Sequence, residues 1–497
     1  MTLVIQGFSS DDKRPGSFRE TKFGQGRVSI GSIPVRVVCT GLLASDATIT
    51  ADQDVVQVFS EDDAITKGGA RGEITLQAIA ALQVPGVEVW MAPVANPGTP
   101  TAASLTILVG GTASYGTLRF RIGAQPFSVG VATGDSVNDI ASAISDAANS
   151  VANSPCDATV STATATLTAA STGARGNQIL FYWDSSECPN LTLTVTGGTA
   201  IHAGHLAPLH NGAGADSVAN VLALLADDTY DYLAVAQNDV TNAALVKAHL
   251  ASQAMAGTSH LEHALYCSGD AYATALTLAA TTLNDQRSAV GWLENSETPP
   301  ASVAATLAAL RGSIAQQMPN YKWAGQTVPG VLGQYFKGDI PGAATQKAAL
   351  NNGLTPLITQ NNGSSVTLLR GIVSHCLDGT SPDYRTLDWA DVDVPDRVNK
   401  EVGALWDEVA AANPYAQPDP ADGDPAAAEQ VLTPSRWNAK VTKLLQDKQD
   451  DRWIYDVANN LPTSEWDSER KCIMSAIPTV VLPKSFQLGA SVRQIAS

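Results

Sequence analysis

The sequence predicts a multidomain α/β and α+β protein. An α/β domain is interrupted by a β-rich inserted domain and followed by a C-terminal α+β domain, with extended arms at both ends. Three observations predict this. Strand-like and helix-like runs alternate on both sides of a segment dominated by Thr, Ala, Ser, Gly and Val. A chain of 497 residues is too long for one core, because single cores stop growing near ~250–300 residues. The two ends carry isolated apolar residues with too few apolar neighbours to offset the entropy of ordering them.

Residues 1–30 read as an arm: Arg14-Pro15-Gly16 is a turn signal, and Phe18 and Phe23 are aromatic anchors that the segment cannot bury by itself. The α/β domain starts over 31–97, with strand-like runs at 33–39 and 87–91 and a helix at 73–83 between them. The composition breaks at Asn96-Pro97-Gly98-Thr99-Pro100, and over 98–199 short alternating runs at 105–109, 117–122, 127–129, 163–168 and 191–196 carry an all-β signature. One helix interrupts them, capped at Asp135-Ser136, with Val137, Ile140, Ala141, Ile144, Ala148 and Val151 recurring at three and four. Over 200–318 the alternation resumes: helix at 218–225, strand at 230–236, helix at 241–255, strand at 265–267, helix at 271–284, strand at 288–292 and a Pro-started helix at 300–318. This implies a parallel sheet with covering helices, which the runs at 33–39 and 87–91 complete across the insert. Residues 319–482 turn to α+β, with a strand at 366–369, helices at 397–411 and 434–447, and a solvated Pro- and Asp-rich loop at 413–425. Residues 483–497 form a second arm, in which Phe486, Leu488, Val492 and Ile495 are interleaved with polar residues as in a strand, with no turn to return the chain.

Composition limits the partners. With 48 acidic against 30 basic residues the formal net charge is −18, which disfavours nucleic acid and anionic membranes as partners. Only 16% of residues are charged, few for the surface of a monomer, so much of that surface is expected to be covered by other copies. The six cysteines lack CxxC spacing and read as reduced core residues, with the pair Cys156 and Cys188 left open as close neighbours. The opening MTLVIQGFSSDD has no basic region and no apolar run long enough for a signal peptide, so a soluble, cytoplasmically made protein is expected.

Catalytic signatures are weak. Gly68-Gly69-Ala70-Arg71-Gly72 precedes a helix without the spacing that sets amides and a lysine on phosphates. His202, His205 and His210 cluster in one stretch, but loop histidines are the simpler reading. His260 and His263 in HLEH lack the i, i+4 spacing of a helical zinc pair, and their position before a strand suits capping or surface exposure. No GxSxG elbow occurs. No catalytic residue, cofactor or metal is therefore expected.

Several strings, in order along the chain, resemble the tail sheath proteins of contractile phages, specifically the Mu-like type: RPGSFRETKFGQG, SIPVRVVCTGLLAS at 32–45, EVWMAPVA at 88–95, NNGLTPLI at 351–358, SVTLLRGIVSH at 365–375 and PDYRTLD at 382–388. Between them, GGTASYGTLRFRIGAQPFSVGVATGDS and TGARGNQILF resemble the module inserted in such proteins, which projects outward. The resemblance implies a structural subunit that polymerises as stacked hexameric rings around the tail tube, contacts baseplate and tail terminator proteins, and shortens to drive the tube through the host envelope. It places the protein in the virion tail, assembled in the host cytoplasm, with both arms donating strands to neighbouring subunits. Phe18, Phe23, Phe486, Leu488, Val492 and Ile495 are the subunit contacts this reading expects. A soluble α/β enzyme with a β-rich carbohydrate-binding insert is the alternative, and a secreted adhesin is a third reading that the missing signal peptide disfavours. Particle size discriminates, since only the first expects tubes or rings.

Overall fold

The computed structural model describes residues 35–484, apart from 114, 256–257, 361–364, 384–386, 422–427 and 429. The chain divides into Met1–Pro34 and Val35–Ser497, and all described residues belong to the second unit.

Its frame is a nine-stranded sheet. Across it the strands run Thr327–Val328, Val366–Leu368, Leu354–Thr359, Ser288–Trp292, His263–Ser268, Tyr232–Val235, Val35–Thr40, Val87–Met91 and Val56–Val58. The six from Leu354–Thr359 to Val87–Met91 are mutually parallel, and antiparallel strands close both edges. Central strands such as His263–Ser268 and Ser288–Trp292 are buried at every position, as expected when helices cover both faces. One face packs under the Glu73–Leu82 and Pro300–Ala315 helices with Trp323 and Trp389. The other packs under Ala219–Leu225, Val240–Gln253 and the helical stretch from Tyr272 to Leu283. That last helix, expected as one α-helix over 271–284, changes to a π-helical turn at Thr277 and closes on Asn284 in the left-handed region.

Residues 104–208 build two four-stranded antiparallel sheets around their own apolar core, with the Val137–Asn149 helix packed in it. Ser136 and Asp139 form a reciprocal capping box at the start of that helix. Strands from before and after this segment pair directly, Val37 opposite Tyr232. The pairing that closes the segment extends to Thr101 opposite Ala213, beyond the boundary expected at 199, because Leu206–Pro208 pairs with Leu180–Tyr182. The main sheet likewise continues past the boundary expected at 318, since Leu354–Thr359 lies parallel to Ser288–Trp292.

The C-terminal part has a separate core formed by Val394, Val398, Trp437, Val441, Leu445 and their neighbours. Its long helix runs Trp389–Ala412, starting earlier than the expected 397. Asp388 and Asp391 form a capping box that starts the helix upstream of Pro395, so the helix absorbs one lost backbone bond at the proline. Among the described residues no helix is long and apolar enough to cross a membrane.

Candidate assembly surface

The C-terminal part ends in features that invite a partner. Thr433 caps the Pro434–Asp450 helix by accepting from Arg436 N, and Pro434 takes the first position, where its missing N–H costs nothing. Against that helix lies an antiparallel hairpin, Thr463–Asp467 with Cys472–Ala476, in the register Thr463 opposite Ala476 and Asp467 opposite Cys472. Its turn is held by Asp467, whose carboxylate accepts from Glu469 N and Arg470 N at 2.9 Å each. Ser464 Oγ donates to Asn438 Oδ1 at 2.6 Å and ties the hairpin to the helix. No third strand pairs with it among the described residues. A two-stranded ribbon is marginal in water, and its unpaired edges are templates for another strand. Thr463, Ser464, Glu465, Met474, Ser475 and Ala476 line an open cavity of about 420 Å³, and Leu461 and Met474 are about half exposed beside it.

The described chain leaves from the same region. Ile454 bridges Val481, Tyr455 N donates to Val480 O and Leu482 N donates to Trp453 O. Asn320 Nδ2 donates to Arg452 O and to Leu482 O. Met318, Asn320, Trp453, Leu482, Pro483 and Lys484 line a groove of about 490 Å³. The expected contact residues Phe18, Phe23, Phe486, Leu488, Val492 and Ile495 lie outside the described residues.

Two buried charge networks lie elsewhere in the body. In the first, Arg175 of the β-rich segment reaches both Glu73, at the start of the Glu73–Leu82 helix, and Asp216, at 2.7 and 2.6 Å. Asp216 also accepts from Gln237 Nε2, and Gln237 Oε1 accepts from Thr40 Oγ1. Burial works against the charge on Arg175, but Glu73 and Asp216 outweigh it and raise the guanidinium pKa further. In the second, Arg311 is fully buried and bidentate to Asp393, while His263 and Arg287 share Asp396.

The second network overturns one expectation. His263 neither caps a helix nor faces solvent: it opens a central strand, is 3% exposed and lies 3.0 Å from Asp396. Glu262 beside it is fully buried against His249 at 3.0 Å. The charged groups that make such burial tolerable come from helices 48 to 133 positions away, so local pattern could not reveal them. One signal was present: Arg311 is the lone charge in the otherwise uncharged Pro300–Ala315 helix, and a lone charge in an apolar run implies a buried partner.

The other motifs are absorbed structurally. At Gly68–Gly72, Ala70 N donates to Asp46 and Glu73 N to Ser171 Oγ, so protein groups fill the helix start. His202 contacts Asp339 at 3.0 Å, and His210 Nδ1 lies 2.8 Å from Ser104 O. No two cysteines form a disulfide; five are buried and Cys472 is half-buried. Burial pushes the Cys39 thiol up to about 12. Among the described residues no His, Cys, Asp and Glu group has the geometry to hold a metal ion.

No family profile and no curated protein matches the sequence. Among solved structures, the sheath tail protein of Listeria innocua is similar over 91% of this chain and 93% of its own, with TM-score 0.50 and 13% identity. The sheath tail protein of Desulfitobacterium hafniense follows at TM-score 0.48 and 12% identity, over 94% of this chain and all of its own. The sheath complex of an extracellular contractile injection system in its contracted state stands at 0.49 and 7%, over 98% and 99%. At such identities the likeness is one of architecture: this chain has the fold of a sheath tail protein.

Proposed function

We propose that this chain is a structural subunit of a contractile sheath, polymerising around a tail tube and shortening to drive that tube through a host envelope. The observation that supports it is the hairpin Thr463–Ala476, which no third strand joins among the described residues, on a fold shared with a sheath tail protein. In this reading the arms 1–30 and 483–497 reach neighbouring subunits, and Phe18, Phe23, Phe486, Leu488, Val492 and Ile495 are the contacts. A strand added to an open edge gains main-chain hydrogen bonds and hides a surface prone to aggregation. Donor and acceptor surfaces differ, so the contact is heterologous and builds rings and helices. Hexameric rings, contacts with tube, baseplate and terminator proteins, assembly in a host cytoplasm and the Mu-like subtype belong to the same proposal. So does the division into a body that carries the main sheet, an outward insert bounded by the Thr101–Ala213 pair and an assembly core towards the C-terminal end. Conformational free energy stored in the polymer, with no catalytic step, powers the shortening.

Truncation after Pro483 tests it. The shortened chain should keep its circular dichroism spectrum and fail to form the tubes or rings that the full chain forms in negative-stain microscopy. Each large apolar side chain withdrawn from a contact loses about 1.5–3 kcal/mol, repeated at every junction of a polymer. Tubes formed as readily by the truncated chain would sink the proposal.

A further inference from the structure

The cluster around His263 joins three elements: the His263–Ser268 strand, the Pro300–Ala315 helix and the Trp389–Ala412 helix of the C-terminal part. Asp396 Oδ2 accepts from His263 Nε2–H at 3.0 Å, which leaves Nδ1 as the acceptor for Arg311 Nη2 at 3.3 Å. Arg311 spends Nε and Nη2 on Asp393 at 3.2 and 2.7 Å, and its Nη1 has no partner among the described residues. His263 Nδ1 is therefore one of few acceptors available to a guanidinium that is wholly out of water. Arg287 holds the other side of Asp396 at 2.6 and 2.9 Å. The set closes electrically only while His263 is neutral: Arg311 and Arg287 balance Asp393 and Asp396, and a proton on His263 leaves one surplus positive charge in a buried site. That proton would also aim an N–H at an Arg311 N–H.

The remaining charged and titratable groups around the cluster do not absorb the proton. Tyr232 stacks on the His263 ring at 5.4 Å between centroids. Asp231 is paired with Lys400 at 2.6 Å and Arg397 with Glu401 at 3.3 Å. Lys484 brings a positive charge near Asp393, but Asp388 and Asp391 face it as well, with Arg370 paired to Asp388.

We propose that His263 is an acid-sensitive latch: neutral, it locks the Trp389–Ala412 helix to the main sheet through Arg311 and Asp396, and protonated, it releases that helix and with it the C-terminal part. Burial and Arg311 together favour the neutral ring in the folded state, against the opposing pull of Asp396 and Asp393. The sign follows. A base whose folded value lies below its ordinary ~6.5 takes up its proton in the opened state first, so opening becomes easier as pH falls below 6.5 and levels off below the folded value.

Hydrogen exchange on the full-length protein tests this, with amides of the 389–412 helix followed from pH 7.5 to 5.0 and corrected for intrinsic rates. Opening of that helix should increase with acid, by up to about 30-fold at pH 5.0, the limit set by a free imidazole near 6.5. The 137–149 helix, remote from the cluster, should not change. H263Q, which keeps a donor and an acceptor but does not titrate, should abolish the increase. Because H263Q could fail to fold, the wild-type profile stands as a test by itself: exchange in 389–412 that is flat between pH 7.5 and 5.0 overturns the latch. The same acid increase in folded H263Q overturns it equally.

Discussion

Replacing Arg175 with Met removes the cation from the network that ties the β-rich segment to the main sheet. The Arg175, Glu73 and Asp216 side chains are 14%, 15% and 4% exposed, so the substitution strands two carboxylates with little access to water. Breaking a buried pair by removing one partner costs about 3–5 kcal/mol. Two contacts already present cushion the loss: Glu73 accepts from Leu42 N, and Asp216 from Gln237 Nε2. They place the expected cost near the lower end, about 3 kcal/mol, measured by urea denaturation at pH 7. The triple variant R175M/E73Q/D216N should recover most of it, since neutral side chains need no counterion. Acid dependence gives a second readout. In the fold, burial raises the Asp216 carboxyl but Arg175 outweighs it, so the net value is depressed. A depressed acid stabilises above its unfolded value, near ~3.9, and loses that contribution as pH falls through the folded value. R175M should therefore flatten the stability profile below pH 4. A loss under ~1 kcal/mol, or a triple variant no more stable than R175M, would refute the reasoning.

Three further outcomes are expected. Excising 98–213 with a short Gly/Ser linker, together with E73Q and D216N to relieve the two carboxylates that lose Arg175, should leave a soluble product with the main sheet intact, because Thr101 and Ala213 are paired neighbours; an insoluble product argues against an independent segment. Gly353→Ala should lower stability by about 1–2 kcal/mol, since φ is +76° and the new Cβ would lie 2.4 Å from Ser374 O; an unchanged denaturation midpoint contradicts this. Metal analysis of protein purified without chelator should find well below one equivalent of zinc or iron per chain, and stoichiometric metal would reopen a catalytic reading.

The mixed α/β class was legible because its signals are local. Glu73–Leu82, Val137–Asn149 and Pro434–Asp450 have apolar spacing within one short window, the latter two with a side-chain cap as well, and their observed limits fall close to the expected ones. Strands such as Ser288–Trp292 stand out as unbroken small and apolar runs. What was hidden depends on distant partners. His263 looks exposed until Arg311 and Asp396 are brought to it by two other helices. The hairpin Thr463–Ala476 alternates too irregularly to be seen as a pair of strands, because neither of its faces is fully buried.

The main sheet also sets an order of events during synthesis. Its Val35–Thr40 strand must wait for Tyr232–Val235, whose partners are 195 positions later in the chain, whereas the two sheets of 104–208 close largely through neighbours in sequence. Local contacts form first, and closure across a long loop costs entropy before it returns any contact. On a ribosome delivering ~5–20 residues per second, the Val35–Thr40 strand can pair early with Val87–Met91 but stays without Tyr232–Val235 for roughly 10–40 seconds. Over that interval the β-rich segment has time to fold and hold their flanks together. A chain with so long a wait is safest when residues 104–208 close quickly, and their two sheets can do so because they take no strand from outside the segment.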